Sequence, residues 1–173
     1  MKKLLLSCVL AVACVLTVGA QDMKIWEGKL FSIAYPTGGS VEDMDADAEP
    51  GMIGVLFAAS ANDDELTINA TYNVAGPTVG QLGEYANNLH FMHSGSFSDW
   101  TCDKPVVKGN KLTMRKVTKD DPEDPEKEKF VEWDFAVIGS GTKGVAGTIK
   151  APLAKEAEYV KYLEPVVNSV VIK

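Results

Sequence analysis

Cysteine is scarce in this 173-residue chain: Cys8, Cys14 and Cys102 are all there is. The first two lie inside an N-terminal apolar run, so without that run Cys102 stands alone and no intrachain disulfide can form. Stability then has to come from a packed core. Histidine is scarcer still, with only His90 and His93, which leaves a serine or cysteine nucleophile almost no choice of base. No G-x-S-x-G occurs. The glycine-rich stretch Gly139-Ser140-Gly141-Thr142-Lys143-Gly144 lacks the G-x-x-x-x-G-K-[ST] order and precedes a strand, so it reads as a hairpin turn. Positive charge is in deficit, with 17 Lys and Arg against 24 Asp and Glu and a net charge of −7. Such a surface repels phosphates, which excludes nucleic acid and anionic lipid as partners. There is no internal repeat and no Ser/Gly/Pro-rich linker.

What is present begins with MKKLLLSCVLAVACVLTVGAQD. Lys2 and Lys3 form a positive start, Leu4 to Val18 is uncharged and apolar, and Val18-Gly19-Ala20 supplies small residues before polar sequence resumes. The pattern predicts a secretory signal over residues 1–20, and the run is too short and poorly flanked for a spanning helix. An alternative is a lipobox at Ala11-Val12-Ala13-Cys14, with Cys14 lipidated, although Val15, Leu16 and Val18 continue the apolar run beyond it. Cleavage after Ala20 removes two lysines and no acid, taking the net charge from −7 to −9. Residues 21–173 are expected to form one domain, exported to the periplasm or beyond.

Along that domain the periodicity alternates between two and about 3.6. Strands are predicted at Lys24–Glu27 and Leu30–Tyr35, the second stopped by Pro36, which has no N–H for a ladder. Residues 37–50 read as an acidic loop. Met52–Ala59 is apolar on both faces and predicts a central, covered strand, and Glu65–Tyr72 alternates with Leu66, Ile68, Ala70 and Tyr72 inward. Thr78 and Gln81 have capping-box spacing before a helix whose apolar positions are Leu82, Tyr85, Ala86, Leu89 and Met92. Strands follow at Ser98–Val107, Lys111–Thr118, Phe130–Ile138 and Val145–Lys150. The segment KDDPEDPEKEK (119–129) reads as a charged hairpin tip, and Glu132 and Asp134 are read as lying on a solvated strand face with ordinary acidity. A last helix is expected over Leu153–Val167, its buried side marked by Leu153, Ala157, Val160, Leu163 and Val167, with Pro165 kinking or shortening it. Val170-Val171-Ile172 closes as an extended piece. Strand clusters with sparse helices define an α+β fold, an antiparallel β-sheet sandwiched by helices.

Four stretches carry a resemblance. They are Phe31-Ser32-Ile33-Ala34-Tyr35-Pro36, Leu82-Gly83-Glu84-Tyr85-Ala86, Val107-Lys108-Gly109-Asn110 and Val166-Val167-Asn168-Ser169-Val170. Together they make the chain similar to the PsbP-like and Mog-type proteins, and to small secreted bacterial members of that group, over nearly all of residues 22–173. The resemblance implies an antiparallel sheet between helices, and a non-enzymatic protein that binds other proteins or supports an assembly. Gly38-Gly39-Ser40 stands where the family places a bulky residue soon after the Tyr-Pro.

Two patterns are candidates for metal ligation. Asp43, Asp45, Asp47 and Glu49 alternate in the acidic loop and offer hard oxygens to Ca²⁺, but an EF-hand started at Asp43 needs Gly and Glu where Ala48 and Gly54 stand. His90 and His93 sit one helical turn apart and offer imidazoles to Zn²⁺ or Cu²⁺, with Cys102 or Asp99 as a third ligand. The expectation is an exported, non-enzymatic binding or accessory protein of the cell envelope with another envelope protein as partner, no cofactor and no membrane span. The alternative is a metal-binding protein.

Overall fold

The computed structural model describes residues 23–43 and 55–173. Residues 1–22, with the predicted signal and Cys8 and Cys14, lie outside the described residues.

The chain opens with a hairpin. β1 (Met23–Glu27) pairs antiparallel with β2 (Phe31–Pro36), Trp26 opposite Ile33. Pro36 ends β2 as expected. The following segment is not all loop, because β3 (Ser40–Asp43) pairs with β4 (Val55–Ala61). Gly39 permits that turn: a Cβ there would lie 2.7 Å from the Ser60 carbonyl oxygen. A side chain cannot be housed that close to backbone, so position 39 calls for glycine. β4 is therefore one strand in from the edge rather than central. From Phe57 on, its burial alternates, with Phe57, Ala59 and Ala61 buried and Ala58 and Ser60 half-buried.

β5 (Leu66–Asn73) follows with the predicted alternation. Thr78 opens the next element: its backbone N–H and its hydroxyl both donate to Gln81 Oε1, at 3.1 and 2.9 Å. A 3-10 turn (Val79–Gln81) leads into α1 (Leu82–Ser94). Leu82 and Ala86 are buried, but Met92 is 65% exposed, because at the end of the helix His93 takes the sheet-facing position, against Asp134. The single strand expected over Ser98–Val107 is two, β6 (Trp100–Cys102) and β7 (Val106–Lys108), both on the same edge of β8 (Lys111–Thr118). Pro105 interrupts the ladder between them. Gly109, at φ +61°, makes the β7–β8 turn, which Asn110 ties to the next strand by donating from Nδ2 to the Ile138 carbonyl at 2.6 Å.

β9 (Phe130–Ile138) and β10 (Gly144–Pro152) form the long central hairpin, closed by residues 139–143 as predicted. The terminal helix is broken: a 3-10 turn (Leu153–Lys155), α2 (Glu156–Tyr159), a second 3-10 turn (Val160–Tyr162) and α3 (Leu163–Ser169). The tight turns shift the helical phase. Tyr159, Val166 and Val167 are buried, while Ala157 and Val160 are exposed. Pro165 sits in the first turn of α3, where the missing N–H costs no helical bond. β11 (Val171–Ile172) then pairs with β2.

The strands make an eight-stranded sheet, ordered β3-β4-β5-β10-β9-β8-β6 with β7 also on β8, and a three-stranded sheet, β1-β2-β11. Among the described residues every strand pairing is antiparallel. One face of the large sheet buries Phe57, Ile68, Trp133, Phe135 and Ile149 against the small sheet and the C-terminal helices. The other face carries α1, with Leu82 and Ala86 on Leu112, Ala136 and Ile138. The architecture is α+β, as the sequence predicts.

Candidate polar site beneath helix α1

Alternation along β8 puts Leu112, Met114 and Lys116 on the α1 face. Alternation along β9 puts Glu132 and Asp134 on that same face, and Lys116 lies opposite Glu132, Met114 opposite Asp134. Towards the end of α1 the apolar contact gives way to this charged group. Lys116 Nζ lies 2.7 Å from Glu132 Oε1 and 2.9 Å from Asp134 Oδ1. It also sits over the Trp100 ring, 4.9 Å from its centroid, a cation–π contact. Lys116 is 3% exposed and Asp134 7%. The reading of Glu132 and Asp134 as a solvated pair is therefore corrected: β6 and the end of α1 cover that face. Burial pushes the Asp134 carboxyl up from 3.8 to about 6 despite the pull of Lys116. Its Oδ2 is buried and has no hydrogen-bond partner.

His93 Nε2 lies 3.9 Å from that oxygen. Burial and the Lys116 charge both lower the His93 pKa, so at neutral pH the imidazole is neutral and the contact is not an ion pair. Cys102 lies opposite Lys116 in the β6–β8 ladder, half-buried, and burial pushes its thiol up. Such a thiol is a packing group rather than a nucleophile. Among the described residues no three His, Cys, Asp or Glu side chains are grouped so as to hold a metal ion. His90 is half-buried on α1, and Asp99 lies in the loop before β6, where its carbonyl accepts from the Lys119 N–H at 2.8 Å. Asp45, Asp47 and Glu49, and the side chain of Asp43 at the end of β3, lie outside the described residues.

The sequence contained a signal for this site that pattern reading missed. A lysine in phase with Leu112 and Met114 is a cation on a buried face, and it calls for carboxylates in phase on the neighbouring strand.

Two features flank the cluster. Asp134 lines a cleft of about 240 Å³ between α1 and the sheet, with Tyr85, Leu89, Leu112, Ala136, Ala146 and Thr148 around it. Beyond the end of α1, Phe91 is 80% exposed and Phe97 fully so, beside Met92. Phe97 borders a surface cleft of about 500 Å³ whose far side is formed by Thr118–Pro122 and Lys127–Phe130 of the charged loop.

This arrangement, a large antiparallel sheet with one helix on one face and a small sheet plus a C-terminal helix on the other, is the PsbP/Mog-type α+β fold. The structure is similar to that of the Ran-binding protein Mog1p of Saccharomyces cerevisiae, at TM-score 0.52 and 15% identity, over 87% of this chain and 95% of that one. It is also similar to cyanobacterial PsbP (CyanoP) from Synechocystis sp. PCC 6803, at TM-score 0.48 and 11% identity, over 91% and 96%. A protein from Bacteroides thetaiotaomicron VPI-5482 is similar at TM-score 0.48 and 13% identity, over 88% of this chain and 48% of that one. The likeness to Mog1p is one of fold, and at that level it bears out the resemblance carried by the four sequence stretches. No protein-family profile matches the sequence, and no curated protein matches it.

Proposed function

We propose that this is an exported, non-enzymatic accessory protein that docks onto another protein of the cell envelope. The observation that carries the reading is the exposed apolar group at the end of α1, Phe91, Met92 and Phe97. Exposed aromatics beside a polar rim are what protein interfaces use as anchors. The adjoining loop 119–129 holds six acids and three lysines, so the partner surface that complements it is basic around an apolar pocket. The fold this chain shares with Mog1p, a Ran-binding protein, lends support for a protein partner. Export rests on the pattern of residues 1–20.

The test is co-purification of the full chain from its native envelope, beside a Phe91→Glu/Phe97→Glu variant of unchanged melting temperature. One protein retained by the parent chain, released by salt and lost with the variant supports the proposal. Retention unaffected by the two substitutions overturns it. Intact mass of the exported chain is expected to begin at Gln21; a lipid-modified Cys14 at the N-terminus would overturn the cleavage site.

A further inference from the structure

The open grooves hold no buried group in want of a partner. The one of about 540 Å³ between the β7–β8 hairpin and α3 has Lys108, Lys111 and Glu164 on its rim, and Lys111 is already engaged with Asn168 Oδ1 at 2.7 Å. The cleft beside Phe97 is lined by charges of both signs. The unpartnered group lies instead under the last turn of α1. Among the described residues, Asp134 Oδ2 is the one buried side-chain oxygen or nitrogen without a hydrogen bond, and it faces His93 Nε2 at 3.9 Å.

The charge balance there is uneven. Lys116 is one ammonium shared by two carboxylates, Glu132 and Asp134. When both are ionised the cluster carries one excess negative charge in a place shielded from water. A neutral imidazole brings no charge to balance it, and burial together with Lys116 keeps His93 neutral at pH 7. One added proton cancels the excess. Either a carboxyl O–H then donates to Nε2 or an imidazolium N–H donates to Oδ2, and both bonds draw the 3.9 Å gap closed. Loss of the proton leaves a charged oxygen that needs water, and water reaches it by displacing the imidazole, whose side chain is already 33% exposed. The other charged and titratable groups around the pair are Tyr85 from α1, Cys102 from β6, Lys116 from β8, Glu132 from β9 and, opposite Glu132, Lys150 from β10. Burial pushes the Cys102 thiol up; burial pulls Lys116 down, but its bonds to two carboxylates outweigh that, so neither changes charge between pH 5 and pH 7.5. Among the described residues His93 belongs to no group able to hold a metal ion.

We propose that His93 and Asp134 form a proton-operated latch: with a proton between Nε2 and Oδ2 the last turn of α1 is held on the sheet, and without it the turn opens more readily, carrying Phe91 and Met92 with it. Burial sets the Asp134 carboxyl to titrate at about 6, so the latch closes in mild acid and loosens towards neutral pH. Control of docking by this latch rests on the reading of Phe91, Met92 and Phe97 as anchors. The movement of the turn does not, and it is measured on the protein alone, so the latch and the docking surface stand or fall separately.

The experiment is native-state amide hydrogen exchange of the ¹⁵N-labelled protein, residues 21–173, at pH 5 and pH 7.5, with rates corrected for the pH dependence of exchange itself, beside a titration of the Asp134 carboxyl ¹³C shift. Protection of the Phe91, Met92, His93 and Ser94 amides is expected to be about tenfold higher at pH 5. That is the factor given by a proton held at about 6 while the turn is closed and at the ordinary 3.8 once it is open. Asp134→Asn, whose side-chain amide donates at every pH, is expected to stay protected at both. His93→Ala is expected to lose the difference and to bring the Asp134 midpoint down towards 3.8, because water then reaches the carboxyl. Equal protection of the last turn at the two pH values in the parent protein overturns the proposal, and that measurement needs no variant. A pH dependence that survives Asp134→Asn would assign the proton to another group, and one that survives His93→Ala would mean that Asp134 acts without the imidazole; either result overturns the latch.

Discussion

Lys116 holds Glu132 at 2.7 Å and Asp134 at 2.9 Å on a covered face, and each of the three depends on the others. Removing the ammonium leaves two buried carboxylates facing each other, so Lys116→Met is expected to cost about 3 kcal/mol in urea unfolding. The triple change Lys116→Met/Glu132→Gln/Asp134→Asn removes all the charges at once and is expected to cost less than the single one. Asp134 has its own pH signature. The folded-state pKa lies above the unfolded value of 3.8, at about 6, so the native protein keeps a proton that the unfolded chain has already lost. Stability contributed by that proton is fully present below the unfolded value and is lost as the pH rises through the folded one. Asp134→Asn keeps the neutral shape at every pH. Relative to the parent protein the variant is expected to gain stability on going from pH 4 to pH 7.5, measured by paired urea titrations; no change in the difference between the two would refute the raised pKa. Gly147 is constrained by space: a Cβ would lie 2.2 Å from the Asn69 carbonyl oxygen and 2.5 Å from Phe135 Cζ. Gly147→Ala is expected to destabilise by about 2 kcal/mol through forced displacement of the ring and of the β5 backbone.

At the level of elements, the strands with clean alternation were legible from sequence because one face of each is buried and the other is not. Leu66, Ile68, Ala70 and Tyr72 in β5 are the plainest instance. The β7–β8 turn and the β9–β10 turn were legible from glycine chemistry, with Gly109 at φ +61° and Gly141 at φ +64°. What failed did so for local physical reasons. β3 was hidden inside acidic sequence because an edge strand need not be apolar. The last helix was misphased because its 3-10 turns advance the chain by three residues per turn instead of 3.6. The polar site is not legible from alternation alone, which places Glu132 and Asp134 on one face of β9 but does not show that β6 and α1 cover that face. The broken C-terminal helix is held by side chains rather than by its own length. Arg115 Nε and Nη2 donate to Glu156 Oε1 and Oε2 at 2.5 and 2.7 Å, a two-point contact that joins β8 to α2 and holds the Glu156 carboxyl below its usual range. The Tyr159 hydroxyl donates to Glu65 Oε2 at 2.8 Å and accepts from Asn62 Nδ2 at 3.0 Å. Glu156→Gln is expected to lower stability by about 1 kcal/mol at pH 7, the pair being partly open to solvent. Because the parent pair is lost as the pH falls through the depressed carboxyl pKa, the gap should close in acid.

Seen whole, the two sheets share one interior: Trp26 and Phe31 of the small sheet lie 5.1 Å apart, ring centroid to centroid, and Trp26 stands at the same distance from Phe57 of the large one. A single cooperative unfolding transition is expected, with tryptophan fluorescence and far-UV circular dichroism superimposing; separated transitions would mean that the small sheet melts by itself. The exposed Phe91 and Phe97 lie on the opposite face, around α1, so substitutions there should leave that transition in place. β11 joins this interior last. Its Val171 and Ile172 pair with Ser32 and Phe31, and Tyr159, Val166, Val167 and Val170 fill the same core. Until residues 159–172 dock, the face of the large sheet that they cover is therefore open to water. Closure through contacts so far apart in the chain is slow, so the rate of refolding is governed by the arrival of this last segment.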